Sequence, residues 1–100
     1  MMRVVTICGS MRFWEAMQQA AWELETKRGY CILPCVMTPE SVNVTQQDLD
    51  RLEEAHRKKI DLSDAIYVVN PGGYIGEAVR SEIEYAKSKG KEILFLVDPE

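Results

Sequence analysis

Residues 65–97, AIYVVNPGGYIGEAVRSEIEYAKSKGKEILFLV, carry one strand–loop–helix–strand unit, and the rest of the chain repeats its logic. Ala65, Ile66, Tyr67, Val68 and Val69 are an unbroken β-branched and aromatic run, the pattern of a strand covered on both faces. Asn70-Pro-Gly-Gly-Tyr-Ile-Gly76 then supplies turn chemistry. A helical period follows, Gly90 closes it, and Lys91 to Val97 is the next apolar run. A strand that returns through a helix to another strand predicts parallel pairing with a right-handed crossover.

Inside that helix one residue breaks the pattern. With Glu82 set at zero and about 100° per residue, Ile75, Ala78, Val79, Tyr85 and Ala86 all fall within about 60° of it. Glu77, Arg80, Glu84 and Lys87 fall on the opposite, solvated side. Glu82 is therefore a carboxylate aimed at the protein interior. Two readings follow: an ion pair with Arg12 or Lys89, or an acid that acts on a ligand held by the glycine loop before it.

Moving outward, Val4, Val5, Thr6, Ile7 and Cys8 form a short buried strand that ends at Gly9-Ser10. Phe13, Met17, Ala20, Ala21 and Leu24 recur at helical spacing between Met11 and Arg28, and Gly29 stops that helix. Tyr30 to Leu33 is a second strand, ended by Pro34, and the irregular segment from Thr38 to Val44 is the longest loop. Thr45-Gln-Gln-Asp48 is a capping pattern for a helix with Leu49, Leu52, Ala55, His56 and Ile60 on one side. The order β-α-β-α-β-α-β predicts a single α/β domain over residues 1–100. Its fold class is a small Rossmann-like (flavodoxin-like) three-layer sandwich with a central parallel sheet of about four strands.

Ligands of such sheets bind beyond the carboxyl ends of the strands, where the strand order reverses. Both glycine-containing segments, Cys8-Gly-Ser-Met-Arg12 and Asn70 to Gly76, open on that edge and lead into helices, whose free N–H groups suit a phosphate or carboxylate. Neither is the G-x-G-x-x-G fingerprint or a Walker loop. Asp61 and Asp64 belong to the helix-to-strand turn at the opposite edge.

With 16 acidic and 12 basic residues the net charge is −4, which argues against a nucleic-acid polymer or an anionic membrane as partner. No apolar run has the roughly 20 residues of a membrane span, and Met1 to Arg3 lead directly into strand residues, so a cytoplasmic protein is expected. Cys31 and Cys35 are four apart beside a lone histidine, which is no zinc spacing; all three cysteines are expected to be reduced core residues, with no metal and no cofactor.

Ile7-Cys-Gly-Ser-Met-Arg12, His56-x4-Asp61-Leu-Ser-Asp64-Ala-Ile-Tyr-Val-Val69, Gly72-Gly-Tyr-Ile-Gly76 and Ser81-Glu-Ile-Glu-Tyr-Ala86 occur in that order. Together they resemble the nucleoside 2-deoxyribosyltransferase superfamily, and within it the 2'-deoxynucleoside 5'-monophosphate N-hydrolases. The resemblance implies cleavage or transfer at the N-glycosidic bond of a (deoxy)nucleoside or its 5'-monophosphate. Glu82 would be the nucleophile on the anomeric carbon. Gly9, Ser10 and Arg12 would hold the 5'-phosphate, and Gly72, Gly73 and Gly76, with Asn70 beside them, would let backbone approach the sugar. His56 stands where the hydrolases carry a second catalytic aspartate and would move protons. Thr6 stands in place of the relatives' active-site tyrosine, and Gly76 near a polar residue of their loop. The relatives complete their site with later residues and a second subunit, which implies a homodimer or higher homo-oligomer here, with Trp14, Trp22 and Tyr85 as candidate contacts. A non-catalytic nucleotide-binding or sensor module of the same fold is the alternative.

Overall fold

The computed structural model describes residues 2–99. Four strands, β1 (Val4–Gly9), β2 (Cys31–Leu33), β3 (Ala65–Val69) and β4 (Glu92–Phe95), pair in the order β2-β1-β3-β4, all parallel. Three helices connect them: α1 (Trp14–Arg28), α2 (Gln46–Leu62) and α3 (Glu77–Ser88). The chain leaves β1 toward β2 and then crosses back to β3, so the order reverses between β1 and β3. Crossovers of one hand then place α1 on one face and α2 and α3 on the other. The result is the α/β three-layer sandwich that the alternating pattern predicts.

The period-2 alternation of side chains divides the core accordingly. Val5, Ile7, Ala65 and Val69 meet Met17, Ala20 and Leu24 of α1 on one face. Cys8, Ile66 and Val68 meet Ile60 of α2 and Val79, Ile83 and Ala86 of α3 on the other. Ile7, Ile60 and Ile66 are withdrawn from water completely or nearly so, and each such burial contributes roughly 1.5–3 kcal/mol.

Local signals set the element ends. Thr45 Oγ1 accepts from Asp48 N–H at 3.1 Å while Asp48 Oδ2 accepts from Thr45 N–H at 3.1 Å, a reciprocal cap that starts α2. Gly29, at φ 70°, ends α1. Met11–Phe13 is a short 3-10 turn feeding α1, so the helix proper begins at Trp14 rather than at Met11. β4 is shorter than the apolar run from Lys91 to Val97. Beyond Phe95 the backbone bends and is taken over by a side chain: the Asn70 amide donates to Val97 O and accepts from Val97 N–H, both at 2.9 Å. Asn70→Ala removes both bonds and is expected to cost about 1–3 kcal/mol, read as a lower urea midpoint with an unchanged m-value.

Asp64 and Asp61 lie away from the carboxyl edge of the sheet. Asp64 Oδ2 accepts from Val4 N–H at 2.9 Å where β1 begins, and Asp61 Oδ1 accepts from Tyr85 Oη at 2.7 Å. No helix among the described residues is long and apolar enough to cross a membrane.

Candidate active site

A cavity of about 450 Å³, a size typical of small-molecule sites, opens over the carboxyl end of β1. Its walls are built by α2 and α3. α2 runs antiparallel to the strands, so its amino end overhangs this edge, and the helix contributes Leu49, Leu52, Glu53, His56 and Lys59. α3 starts at this edge and contributes Gly76, Glu77, Ala78, Val79 and Glu82. Gly9 and Ser10 form the floor, and Cys35, Val36 and Thr38 close one side. The apolar stripe of α2 thus does two jobs: His56 and Ile60 are buried, whereas Leu49 is half exposed and Leu52 faces the cavity.

Glu82 is 9% exposed and His56 8%. Glu82 Oε1 lies 3.3 Å from His56 Nε2, and the same nitrogen lies 3.3 Å from Cys8 Sγ at the end of β1. The buried carboxylate therefore has an imidazole as its nearest polar partner. Arg12 and Lys89, the two partners that the helical wheel offered, are engaged elsewhere. The Arg12 guanidinium stacks 4.7 Å from the Tyr74 ring centroid and 5.3 Å from that of Phe13, and Lys89 Nζ sits 5.5 Å from that of Tyr85. A structural role for Glu82 through pairing with Arg12 is excluded by this arrangement.

The two helices are fastened one residue to either side of the pair. Arg57 donates to Ser81 Oγ at 3.2 Å and to Glu53 Oε1 at 3.1 Å, and its guanidinium lies 4.6 Å from the Tyr85 ring centroid. These contacts fix His56 opposite Glu82 in the wall of the cavity. Tyr85, a candidate for contact with a second subunit, spends its hydroxyl on Asp61 within its own chain.

Gly9 is at the floor because backbone must pass close by. A Cβ there would stand 2.9 Å from Met17 Sδ and 3.1 Å from Val69 O. Gly72 and Gly73 adopt φ 66° and 82°, a conformation that side chains disfavour, and turn the loop after β3. Of the residues singled out in the sequence, Gly9, Ser10, His56, Gly76 and Glu82 line one cavity, while Arg12, Asn70, Gly72 and Gly73 lie off its wall. Arg12 reaches the rim through Tyr74, which does line it. Thr6 is buried below, its hydroxyl 2.6 Å from Ser63 Oγ.

Cys8, Cys35, Glu53, Lys59 and Tyr74 are site residues that the sequence reading did not single out. Burial, then the charge of Glu82, push the Cys8 thiol well above its ordinary pKa. The same two causes raise Cys35 to about 11, with Lys59 pulling the other way. Both thiols are therefore protonated near neutral pH, and neither is a nucleophile in this state.

No protein-family model matches the chain, and no curated protein matches it in sequence at a significant level. Solved structures do match. A conserved protein from Enterococcus faecalis V583 is similar at a TM-score of 0.64 and 16% identity, over 95% of this chain and 63% of that one. The Clostridium botulinum CMP N-glycosidase BcmB is similar at a TM-score of 0.59 and 17% identity, over 93% of this chain and 67% of that one. The chain thus spans less than two thirds of the first protein and about two thirds of the second. At such identities the likeness establishes the fold.

Proposed function

We propose that this chain, as a single nucleoside 2-deoxyribosyltransferase-like domain, cleaves the N-glycosidic bond of a (deoxy)nucleoside 5'-monophosphate with Glu82 as nucleophile. The observation that carries the reading is the Glu82–His56 pair in the wall of a cavity whose floor is the Gly9-Ser10 turn. The fold shared with a CMP N-glycosidase supports it. A Glu82 oxygen attacks the anomeric carbon as the C–N bond breaks. The bonding pair leaves with the base, which takes a proton from His56, and a glycosyl ester forms on Glu82. Water opens that ester to free sugar phosphate, with His56 accepting the proton; a second base in place of water gives transfer.

The phosphate sits at the Gly9-Ser10 turn. Stacking on Tyr74 occupies the face of the Arg12 guanidinium and leaves its in-plane donors for a phosphate oxygen. α3 has no side-chain cap at Gly76, so its first N–H groups are open to an oxygen of the sugar. Chromatography of base released from a panel of nucleoside monophosphates, with and without an acceptor base, tests the reading.

The contact between Glu82 and His56 also supports a second reading, a nucleotide-binding module without turnover, because the imidazole occupies the carboxylate oxygen that would attack. Its mark is thermal stabilisation by a nucleotide with no base released. Val36, which lines the cavity, and Met37, Val42 and Val44 beside it in a neighbouring apolar depression are exposed, which supports a homodimer or higher homo-oligomer. Light scattering checks this: twice the monomer mass or more is expected, and a monomer contradicts it.

A further inference from the structure

Cys8 touches the proposed catalytic pair, yet the cleavage chemistry has no use for it. Its Sγ is 3.3 Å from His56 Nε2, that nitrogen is 3.3 Å from Glu82 Oε1, and one donor atom from each of the three residues lies within 4.8 Å of the others. All three residues are buried. In the metal-free state Cys8 and His56 both turn to the Glu82 carboxylate, so three donor atoms converge on one point. A cation at the centre satisfies all three, since sulfur, nitrogen and oxygen each offer it a lone pair. We propose that Cys8, His56 and Glu82 bind Zn²⁺, and that the bound ion switches off the cleavage reaction by occupying the Glu82 carboxylate. The inhibitory half rests on Glu82 being the nucleophile; the binding half stands without it.

Geometry, donor chemistry and charge agree. Tetrahedral bonds of about 2.3 Å to sulfur and about 2.0 Å to nitrogen and oxygen put the nitrogen and oxygen about 3.3 Å apart and the sulfur and nitrogen about 3.5 Å apart. The corresponding separations here are both 3.3 Å, and the sulfur and the carboxylate oxygen, within 4.8 Å of each other, close to about 3.5 Å by side-chain movement when the ion enters. A sulfur, an imidazole and a single carboxylate suit zinc and not the oxygen-seeking Mg²⁺ or Ca²⁺. On binding, the Cys8 thiol gives its proton to solvent, and Zn²⁺ with one thiolate, one carboxylate and a neutral imidazole leaves a buried site of zero net charge. His56 and Glu82 line the cavity, which gives the ion an entry path and its fourth position. Cys35, the thiol that lines this cavity, donates to Ile7 O at 3.2 Å.

The test titrates the chelator-treated full chain with Co²⁺, a spectroscopic stand-in for zinc. The expected result is one equivalent bound, with a thiolate-to-cobalt charge-transfer band and the visible bands of a tetrahedral ion, all lost when Zn²⁺ is added. No charge-transfer band at one equivalent overturns the site. Cys8→Ser is expected to abolish the band and weaken zinc binding about a hundredfold or more, beyond the loss typical of an outer-shell partner. The double variant Cys31→Ser/Cys35→Ser, with Cys8 as sole thiol, is expected to keep the band, so the assignment stays decidable even where Cys8→Ser fails to fold. Loss of the band from the double variant overturns the assignment. In the base-release assay one equivalent of zinc is expected to stop turnover and excess chelator to restore it; turnover by the zinc-loaded chain overturns the inhibitory half. A chain that shows the band but releases no base when metal-free refutes the cleavage reading alone.

Discussion

Glu82→Gln is expected to lower the rate of base release at least ~10³-fold while the chain stays folded. Glutamine keeps the shape of the side chain and a carbonyl oxygen that can accept from His56, so the wall of the cavity is preserved. What it removes is the negative charge and the nucleophilicity of the oxygen that attacks the anomeric carbon. Without them the oxocarbenium-like transition state loses its nearest anion and no glycosyl ester can form. A structural carboxylate behaves in the opposite way. If Glu82 only pairs with His56, the substitution shifts the thermal midpoint and leaves the rate of any base release unchanged. Rates and melting curves measured on one preparation separate the two.

His56→Ala is expected to lower turnover by about 10²–10⁴-fold, the usual worth of a general acid–base group. The loss depends on the leaving group. A purine or pyrimidine leaves poorly as an anion and needs the proton, whereas a nitrophenolate does not. Against a nitrophenyl deoxyriboside the variant is therefore expected to recover most of the lost rate. Equal losses on both substrates would show that His56 acts by orienting the Glu82 carboxylate, to which its Nε2 is already held at 3.3 Å.

Much of the fold was legible because its signals are local. Val4 to Cys8 and Ala65 to Val69 are continuous apolar runs, Thr45 and Asp48 form a reciprocal cap, and Gly29 takes the left-handed turn that stops α1. The inward aim of Glu82 needed only the helical period of α3. The contacts between elements were not legible, since they depend on how one element slides along another. Which α2 residue meets Glu82 is set by the axial placement of α2 on the sheet, so His56 and Cys8, 48 residues apart, carry no joint mark in the sequence. The same holds for the Arg12–Tyr74 stack, which moved Arg12 from the floor to the rim. Asn70 sits in a glycine-rich loop that promises a ligand, yet its amide is spent on the backbone of Val97. No pattern inside the loop announces a partner 27 residues away. The stripe on α2 was legible as apolar but not as divided, because periodicity does not tell a face packed on the sheet from one that overhangs its edge.

The central claim is that Glu82, set against His56 over the Gly9-Ser10 floor, breaks an N-glycosidic bond. The most direct measurement incubates the metal-free protein and Glu82→Gln with each common ribo- and deoxyribonucleoside 5'-monophosphate and quantifies the free base by chromatography. The account predicts free base from at least one of them with the wild-type chain and at least ~10³-fold less with Glu82→Gln. No free base from any of them, together with nucleotide binding that Glu82→Gln leaves unchanged, would contradict it.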